Sequence, residues 1–218
     1  RRVLATMRDI NNAAKALSRG AHFELPAVQF REAEALGLAL QQASQAMQLV
    51  TFQSQHDALT QLPNRAMFRD FAERQLGLAQ RSAQGLAVIA IDLDHFKAVN
   101  DTHGHGVGDE VLRITAARLS AAVRHGDLVV RLGGDEFACL LQGMADAAPL
   151  RQLCAKLLEA VSRPMKVADL QLLVCPSIGV AMCPQHGTAA KDLMACADAA
   201  MYAAKRERRG FAFYGEVA

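Results

Sequence analysis

Leu128-Val129-Val130-Arg131-Leu132-Gly133-Gly134-Asp135-Glu136-Phe137-Ala138-Cys139-Leu140-Leu141 sets two short apolar runs on either side of a Gly-Gly pair. That pattern predicts a β-hairpin, because paired glycines accept the positive φ angles that tight hairpin turns need. Two adjacent carboxylates, Asp135 and Glu136, stand where the returning strand begins. A turn has no need of them, and their repulsion in a half-buried setting costs stability unless a cation sits between them. A solvated acidic turn and a cation site are both open at this point, and the rest of the chain has to choose.

Upstream, Leu86 to Ile91 is a continuous apolar run of strand length, as expected for a central strand covered on both faces. It ends in Asp92-Leu93-Asp94-His95-Phe96-Lys97. Polar residues lead from there to Asn100 and on to Asp109, with His103 and His105 in a Gly-rich turn that reads as loop structure rather than a metal site. An amphipathic helix is expected from about Glu110 to Val123. After the hairpin come a helix over 147–162, a strand pair including Leu170 to Met182, and a helix from about Ala189 to Arg206. A last strand runs from Phe211 to Tyr214. The whole is an α+β fold, helices packed on a largely antiparallel sheet.

The first quarter of the chain has a different character. Val3, Met7, Ile10, Ala14 and Leu17 form a narrow apolar seam that breaks at Gly20. After a connector holding Pro26, Leu36, Leu40, Ala43, Met47 and Val50 resume it. Two such helices cannot bury themselves alone, and they imply a bundle, most simply through dimerisation. Glu34-Ala35-Leu36-Gly37 opening the second helix resembles a HAMP signal-relay module, with a helical hairpin or coiled-coil stalk as the alternative. The turn residues Pro63 and Asn64 precede a new helix near Ala66. The boundary is set between a segment 1–56 and a domain 57–218.

With 51% hydrophobic and 21% charged residues in 218, the chain can build a sizeable core, which excludes global disorder. Net charge is +2, Trp is absent and no basic stripe interleaves with aromatics, so a nucleic-acid polymer is not the expected partner. Five cysteines without a Cys-x-x-Cys pair suit a reduced, cytoplasmic setting. No apolar run approaches the ~18 residues of a membrane span, and no signal peptide is recognisable. A chain opening on Arg1-Arg2 reads as a fragment, any membrane contact being left to upstream segments.

If the first central strand neighbours the hairpin, Asp92, Asp135 and Glu136 converge at one sheet edge. Such hard oxygen ligands suit Mg²⁺ or Mn²⁺ and serve phosphoryl or nucleotidyl transfer. Gly133 and Gly134 would then also let backbone approach a phosphate. Lys97, Lys205 and Arg209 could hold outer phosphates, although a helix end also favours cations for its own sake.

Six blocks in register from Asp57 to Tyr214 resemble the GGDEF, or diguanylate cyclase, family. They are Asp57-x-Leu59-Thr60-x-Leu62-x-Asn64-Arg65, Asp92-x-Asp94-x-Phe96-Lys97, Asn100-Asp101-x-x-Gly104-His105-x-x-Gly108-Asp109, Gly133-Gly134-Asp135-Glu136-Phe137, Ser177-Ile178-Gly179-Val180 and Ala197-Asp198-x-Ala200-Met201-Tyr202-x-Ala204-Lys205. The resemblance implies a nucleotide-cyclase, palm-like sheet. It also implies condensation of two GTP into cyclic di-GMP with release of two pyrophosphates, by two domains meeting face to face in a homodimer. Carried over by position, Asp92 and Asp135 are metal ligands with the Leu93 carbonyl, and Glu136 is a ligand or activates the 3′-hydroxyl. Asn100 and Asp109 read guanine, while Phe96, Lys97, Gly133, Gly134, Lys205 and Arg209 line the substrate site. Arg124 and Asp127 resemble the family's Arg-x-x-Asp inhibitory site for cyclic di-GMP, against the alternative of a helix-end ion pair. Arg151 is a candidate second inhibitory arginine by position alone. The resemblance further implies a cytoplasmic domain, the full-length protein anchored in the inner membrane only if upstream segments provide it. The chain departs from the family at Gln61 and Arg208, where glycine is usual.

Overall fold

The computed structural model describes residues 31–82, 85–144 and 146–216, with backbone alone at 31–36, 48 and 49. The seam from Val3 to Leu17 lies outside the described residues. By Cα proximity the chain divides into two units between Ser54 and Gln55. In the first, helix α1 (Arg31–Gln55) carries Met47 and Val50 with 51% and 64% of their surface exposed, so these seam positions are uncovered.

The second unit runs α2 (Arg65–Ser82), β1 (Leu86–Leu93), α3 (Phe96–His103), α4 (His105–Ala122), β2 (Leu128–Gly133), β3 (Glu136–Gln142), α5 (Ala147–Ser162), β4 (Met165–Val167), β5 (Leu170–Leu172), β6 (Pro176–Cys183), α6 (Ala190–Glu207) and β7 (Phe211–Phe213). A five-stranded sheet has the order β2-β3-β1-β6-β7, antiparallel except for the β6–β7 pair, and β4 with β5 forms a separate small hairpin. β1 sits at the centre, and seven of its eight residues are buried. Alternation sends Ile89, Ile91 and Leu93 to a core with α4 and α5, and Val88 and Ala90 to a second core with α2 and α6. Each large apolar side chain so enclosed contributes about 1.5–3 kcal/mol.

Two expectations need correction. Residues 96–103 are a helix rather than part of a loop, and the next helix begins at His105, not near Glu110. Gly104 causes both: at φ 84° its backbone breaks the chain direction, while its N–H donates to the Asn100 carbonyl at 2.8 Å. One glycine ends α3 and starts α4. Within Leu170 to Met182, β5 pairs back with β4, and β6 joins the main sheet beside β1.

Candidate active site

The hairpin closes through a two-residue turn, Gly134-Asp135, between the paired Gly133 and Glu136. Gly133 and Gly134 have φ of 143° and 55°, so both use the conformational freedom for which the sequence selected them. A second device locks the turn. Arg131, its side chain only 11% exposed, donates from Nε and Nη2 to the Gly134 carbonyl at 3.0 and 2.7 Å, and from Nη1 to Asp57 Oδ1 at 2.8 Å. Asp57 also accepts from the Thr60 N–H and hydroxyl at 2.9 and 2.7 Å. Burial pushes the Asp57 carboxyl up, but the hydrogen bonds from Thr60 and Arg131 outweigh it and hold the group below the ordinary carboxylate range. Arg131 stands in plain view in the opening stretch, yet sequence reasoning gave it no role. Its partner lies 74 positions away.

β1 and β3 are neighbours, and their register sets Asp92 directly opposite Glu136, with Ser177 of β6 on the other flank. Like charges opposite one another on a sheet face are destabilising unless countered. Each has its own cation. Lys205, in the last turn of α6, donates to Asp92 Oδ1 and lies 3.9 Å from Asp94. Arg65, opening α2, lies 3.5 Å from Glu136 and donates to the Leu132 carbonyl at 3.3 Å. Burial pulls the Lys205 ammonium down, but the hydrogen bond to Asp92 and the fields of Asp92, Asp94 and Asp135 outweigh it, and its pKa rises. Asp135 is thus part of the same electrostatic cluster. So is Asp94, which sequence reasoning left outside the site; it accepts from the Ser177 hydroxyl at 2.9 and 3.1 Å. Asp198 on α6 is raised by burial and by the Glu136 charge, with Arg65 opposing.

The guanine candidates sit across the α3–α4 elbow. Asn100 is half-buried on α3 and Asp109 half-buried in the second turn of α4. Between them a Cβ on Gly108 would fall 1.8 Å from Asn100 Oδ1, so glycine there makes room for the amide. Phe96 is 7% exposed and packs in the core, where it anchors the start of α3. Leu93 ends β1, fully buried, and Lys97 is exposed on α3. Arg209 follows α6 and contacts Glu207 Oε2 at 2.7 Å.

Arg124 and Asp127 occupy the turn between α4 and β2. The Asp127 side chain is 2% exposed, 3.2 Å from Arg124 Nε, and accepts from the Gln142 N–H at 3.2 Å. Arg124 is 56% exposed and also donates to the Gln142 carbonyl. Both line a cavity of about 460 Å³. Arg151 is not with them: it pairs with Glu216 and lies 4.6 Å over the Phe213 ring.

Among the described residues no three His, Cys, Asp or Glu side chains gather closely enough to enclose a metal ion. The donor set nonetheless fits Mg²⁺ or Mn²⁺, which typically take one or two protein carboxylates and complete their shell with water and substrate phosphate. The Lys205 ammonium among Asp92, Asp94 and Asp135 marks the edge as one that binds positive charge.

The family described as "Diguanylate cyclase, GGDEF domain" matches residues 54–210. Bifunctional diguanylate cyclase/cyclic di-GMP phosphodiesterase MucR of Pseudomonas aeruginosa is 43% identical over 162 residues, 73% of this chain and 23% of that protein. Diguanylate cyclase TpbB of the same species is 42% identical over 159 residues, 72% of this chain and 37% of that protein. The chain therefore spans well under half the length of these relatives. The crystal structure of the TpbB GGDEF domain superposes with a TM-score of 0.69 at 39% identity, covering 71% of this chain and 98% of that one. The coiled coil and GGDEF domain of DgcB from Caulobacter crescentus, solved with c-di-GMP, gives 0.75 at 28% identity over 84% of this chain and 97% of that one. The HAMP resemblance has no counterpart in these matches. With the hairpin, the acid edge and the matched span in agreement, the chain belongs to the GGDEF, or diguanylate cyclase, family.

Proposed function

We propose that the chain is an active diguanylate cyclase, converting two GTP into cyclic di-GMP and two pyrophosphates as a homodimer. The observation that carries this reading is the cross-strand pair of Asp92 and Glu136, with Asp135 in the adjoining turn and Lys205 drawn onto Asp92. Asp92 and Asp135, with the Leu93 carbonyl, hold a divalent metal. That ion, Mg²⁺ or Mn²⁺, neutralises charge developing on the phosphates. Glu136 joins them or accepts the proton of the attacking 3′-hydroxyl.

Asn100 and Asp109 bind the guanine edge, a carboxylate accepting from N1–H and N2–H₂. Lys97, Lys205 and Arg209 hold the phosphates, and Gly133 and Gly134 let the turn backbone approach them. Each 3′-hydroxyl attacks the α-phosphorus of the nucleotide on the second copy. The new P–O bond forms as the bond to the pyrophosphate oxygen breaks, and the hydroxyl proton leaves to base.

α1 joins two copies as a coiled-coil stalk. The exposed Met47 and Val50 support this, as does the coiled coil of the DgcB structure. Cyclic di-GMP feeds back through Arg124, whose exposed guanidinium is the accessible half of the Arg-x-x-Asp pair, with Asp127 held beside it by the Gln142 N–H.

The test is incubation of the purified chain with GTP and Mg²⁺ at several protein concentrations, with nucleotides separated by chromatography. Cyclic di-GMP formed at a specific rate that rises with concentration is the expected result. Absence of turnover, with cyclic di-GMP binding that Arg124→Ala removes, would replace the enzyme by a receptor of the same ligand.

A further inference from the structure

Lys205, Arg206, Arg208 and Arg209 surround the C-terminus of α6, and three of the four are already matched. Lys205 is held by Asp92, while Arg206 and Arg209 both contact Glu207, at 3.5 and 2.7 Å. Among the described residues no carboxylate contacts Arg208. Its backbone is also the costly one. At φ 55° and ψ 37° it is the left-handed residue just past the helix, followed by the Arg209 N–H donating to the Ala204 carbonyl at 3.1 Å. Glycine is the usual occupant of that position because it has no Cβ to crowd the carbonyl. Arginine here, at a backbone shared with Gln61, His95 and Ala168, sets a long cationic side chain just past the helix end, and what it meets there decides its use.

Where the side chain lies suggests the work. Arg208 lines a cleft of about 1130 Å³ that opens beside the acid edge. Lys205, Arg206 and Arg209 line it too, against two acids, Asp94 and Glu159. Glu159 is paired with Arg163 at 2.9 Å, and Asp94 lies 3.9 Å from Lys205 and accepts from the Ser177 hydroxyl, so two acids face four cations. The cleft therefore carries a positive excess that its own carboxylates do not absorb. It adjoins the place where Lys205 and Arg209 would hold phosphate.

We propose that Arg208 is an added polyphosphate ligand, extending the phosphate subsite into this cleft to take the two terminal phosphates of a nucleoside triphosphate and, after transfer, pyrophosphate. The inference rests on the cyclase reading for the identity of the nucleotide, but not for the anion. A guanidinium presents planar donors that match phosphate oxygens, and charge-assisted bonds of this kind survive partial exposure better than neutral ones.

The experiment titrates the full chain, labelled with ¹⁵N-arginine and free of metal, with inorganic pyrophosphate. Arginine Nε–H resonances are followed by NMR, that of Arg208 being identified by its loss in Arg208→Asn. Asparagine tolerates the left-handed backbone and removes the guanidinium with its charge and reach. The Arg208 resonance is expected to shift on saturation. The dissociation constant should rise about three- to tenfold in Arg208→Asn, with partial recovery in Arg208→Lys and a thermal midpoint no lower than the parent's. Should Arg208→Asn fail to fold, Arg208→Gly makes the same comparison. An unmoved Arg208 resonance, no pyrophosphate binding by the parent, or equal dissociation constants would overturn the proposal. GTP turnover by the parent together with equal constants sinks this inference alone. A clear Arg208 response without GTP turnover sinks the cyclase reading and leaves the anion site standing.

Discussion

Asp92 and Glu136 face each other with Lys205 and Arg65 to offset their repulsion, and Asp135 adds a third charge to that edge. Removing Asp135 takes away a ligand of the proposed metal site but also relieves repulsion, so the fold has no reason to suffer. Asp135→Ala is expected to lower GTP turnover by about 100-fold or more, in line with losing a group that stabilises transition-state charge, with circular dichroism unchanged. Turnover near the parent's would remove Asp135 from the metal site. Asp57 makes a different kind of prediction. Its folded pKa lies below the unfolded value of 3.8, so its contribution is fully present above that value and is lost as pH falls through the lowered folded one. Asp57→Asn should cost about 1–3 kcal/mol at neutral pH, the two stability curves converging in acid. Urea unfolding between neutrality and about pH 2 reads this directly, and curves that stay parallel would mean that Arg131 finds another acceptor. At this scale the motif acids and glycines were legible, because each residue type is unusual for its position. The Arg131–Asp57 clamp was not, since no local pattern joins residues so far apart. Gln61 shows the same limit: at φ 59° it occupies the backbone region where the family's glycine would be unstrained, a reason that only the folded chain supplies.

The elements place these groups through close backbone approaches. β6 packs on α6 at Gly179, where a Cβ would fall 2.1 Å from the Ala197 carbonyl oxygen and 2.2 Å from the Met201 nitrogen. Both are backbone atoms and cannot rotate aside. Gly179→Ala must therefore push α6 off the sheet, and overpacking of this kind costs about 1–3 kcal/mol or more. Lys205 rides on the same helix, so the displacement also draws the ammonium away from Asp92. The variant should unfold at clearly lower urea concentration and hold pyrophosphate more weakly; a midpoint equal to the parent's would mean that β6 and α6 separate at no cost. The sheet itself was readable in advance. The apolar run from Leu86 to Ile91 declares a strand covered on both faces, and the Gly-Gly pair declares its hairpin neighbour. What escaped was α3, because Phe96 to His103 is short and polar and offers one buried side chain, Phe96, to mark its inner face. The α4 start was displaced for the same reason: His105 to Asp109 carries no apolar stripe, and its helical geometry follows from Gly104.

At the scale of the molecule, the cyclase reading requires two copies, since one domain holds one of the two nucleotides that react. Joining the reactants through a dimer replaces an encounter between two loaded domains by a fixed approach, and such orientation is worth orders of magnitude in effective concentration. α1 offers the means. Its apolar side chains at Leu38, Met47 and Val50 are 51–64% exposed, while its polar residues give no reason for these apolar ones to face water. In the proposed dimer, a seam of this width would bury itself against a copy of itself. Deleting residues 1–54 is therefore expected to leave the second unit folded, as its two cores are built from its own residues. The truncated chain should sediment as a monomer at concentrations where the full chain is a dimer. Its specific rate of cyclic di-GMP formation should fall at low concentration and recover as concentration rises, whereas the full chain's should saturate early. Sedimentation velocity and initial rates on the same dilution series separate the outcomes. A truncated chain that remains dimeric with an unchanged rate would place the dimer contact in the GGDEF domain itself; a monomer with an unchanged rate would show that two reacting domains need no stalk to find each other.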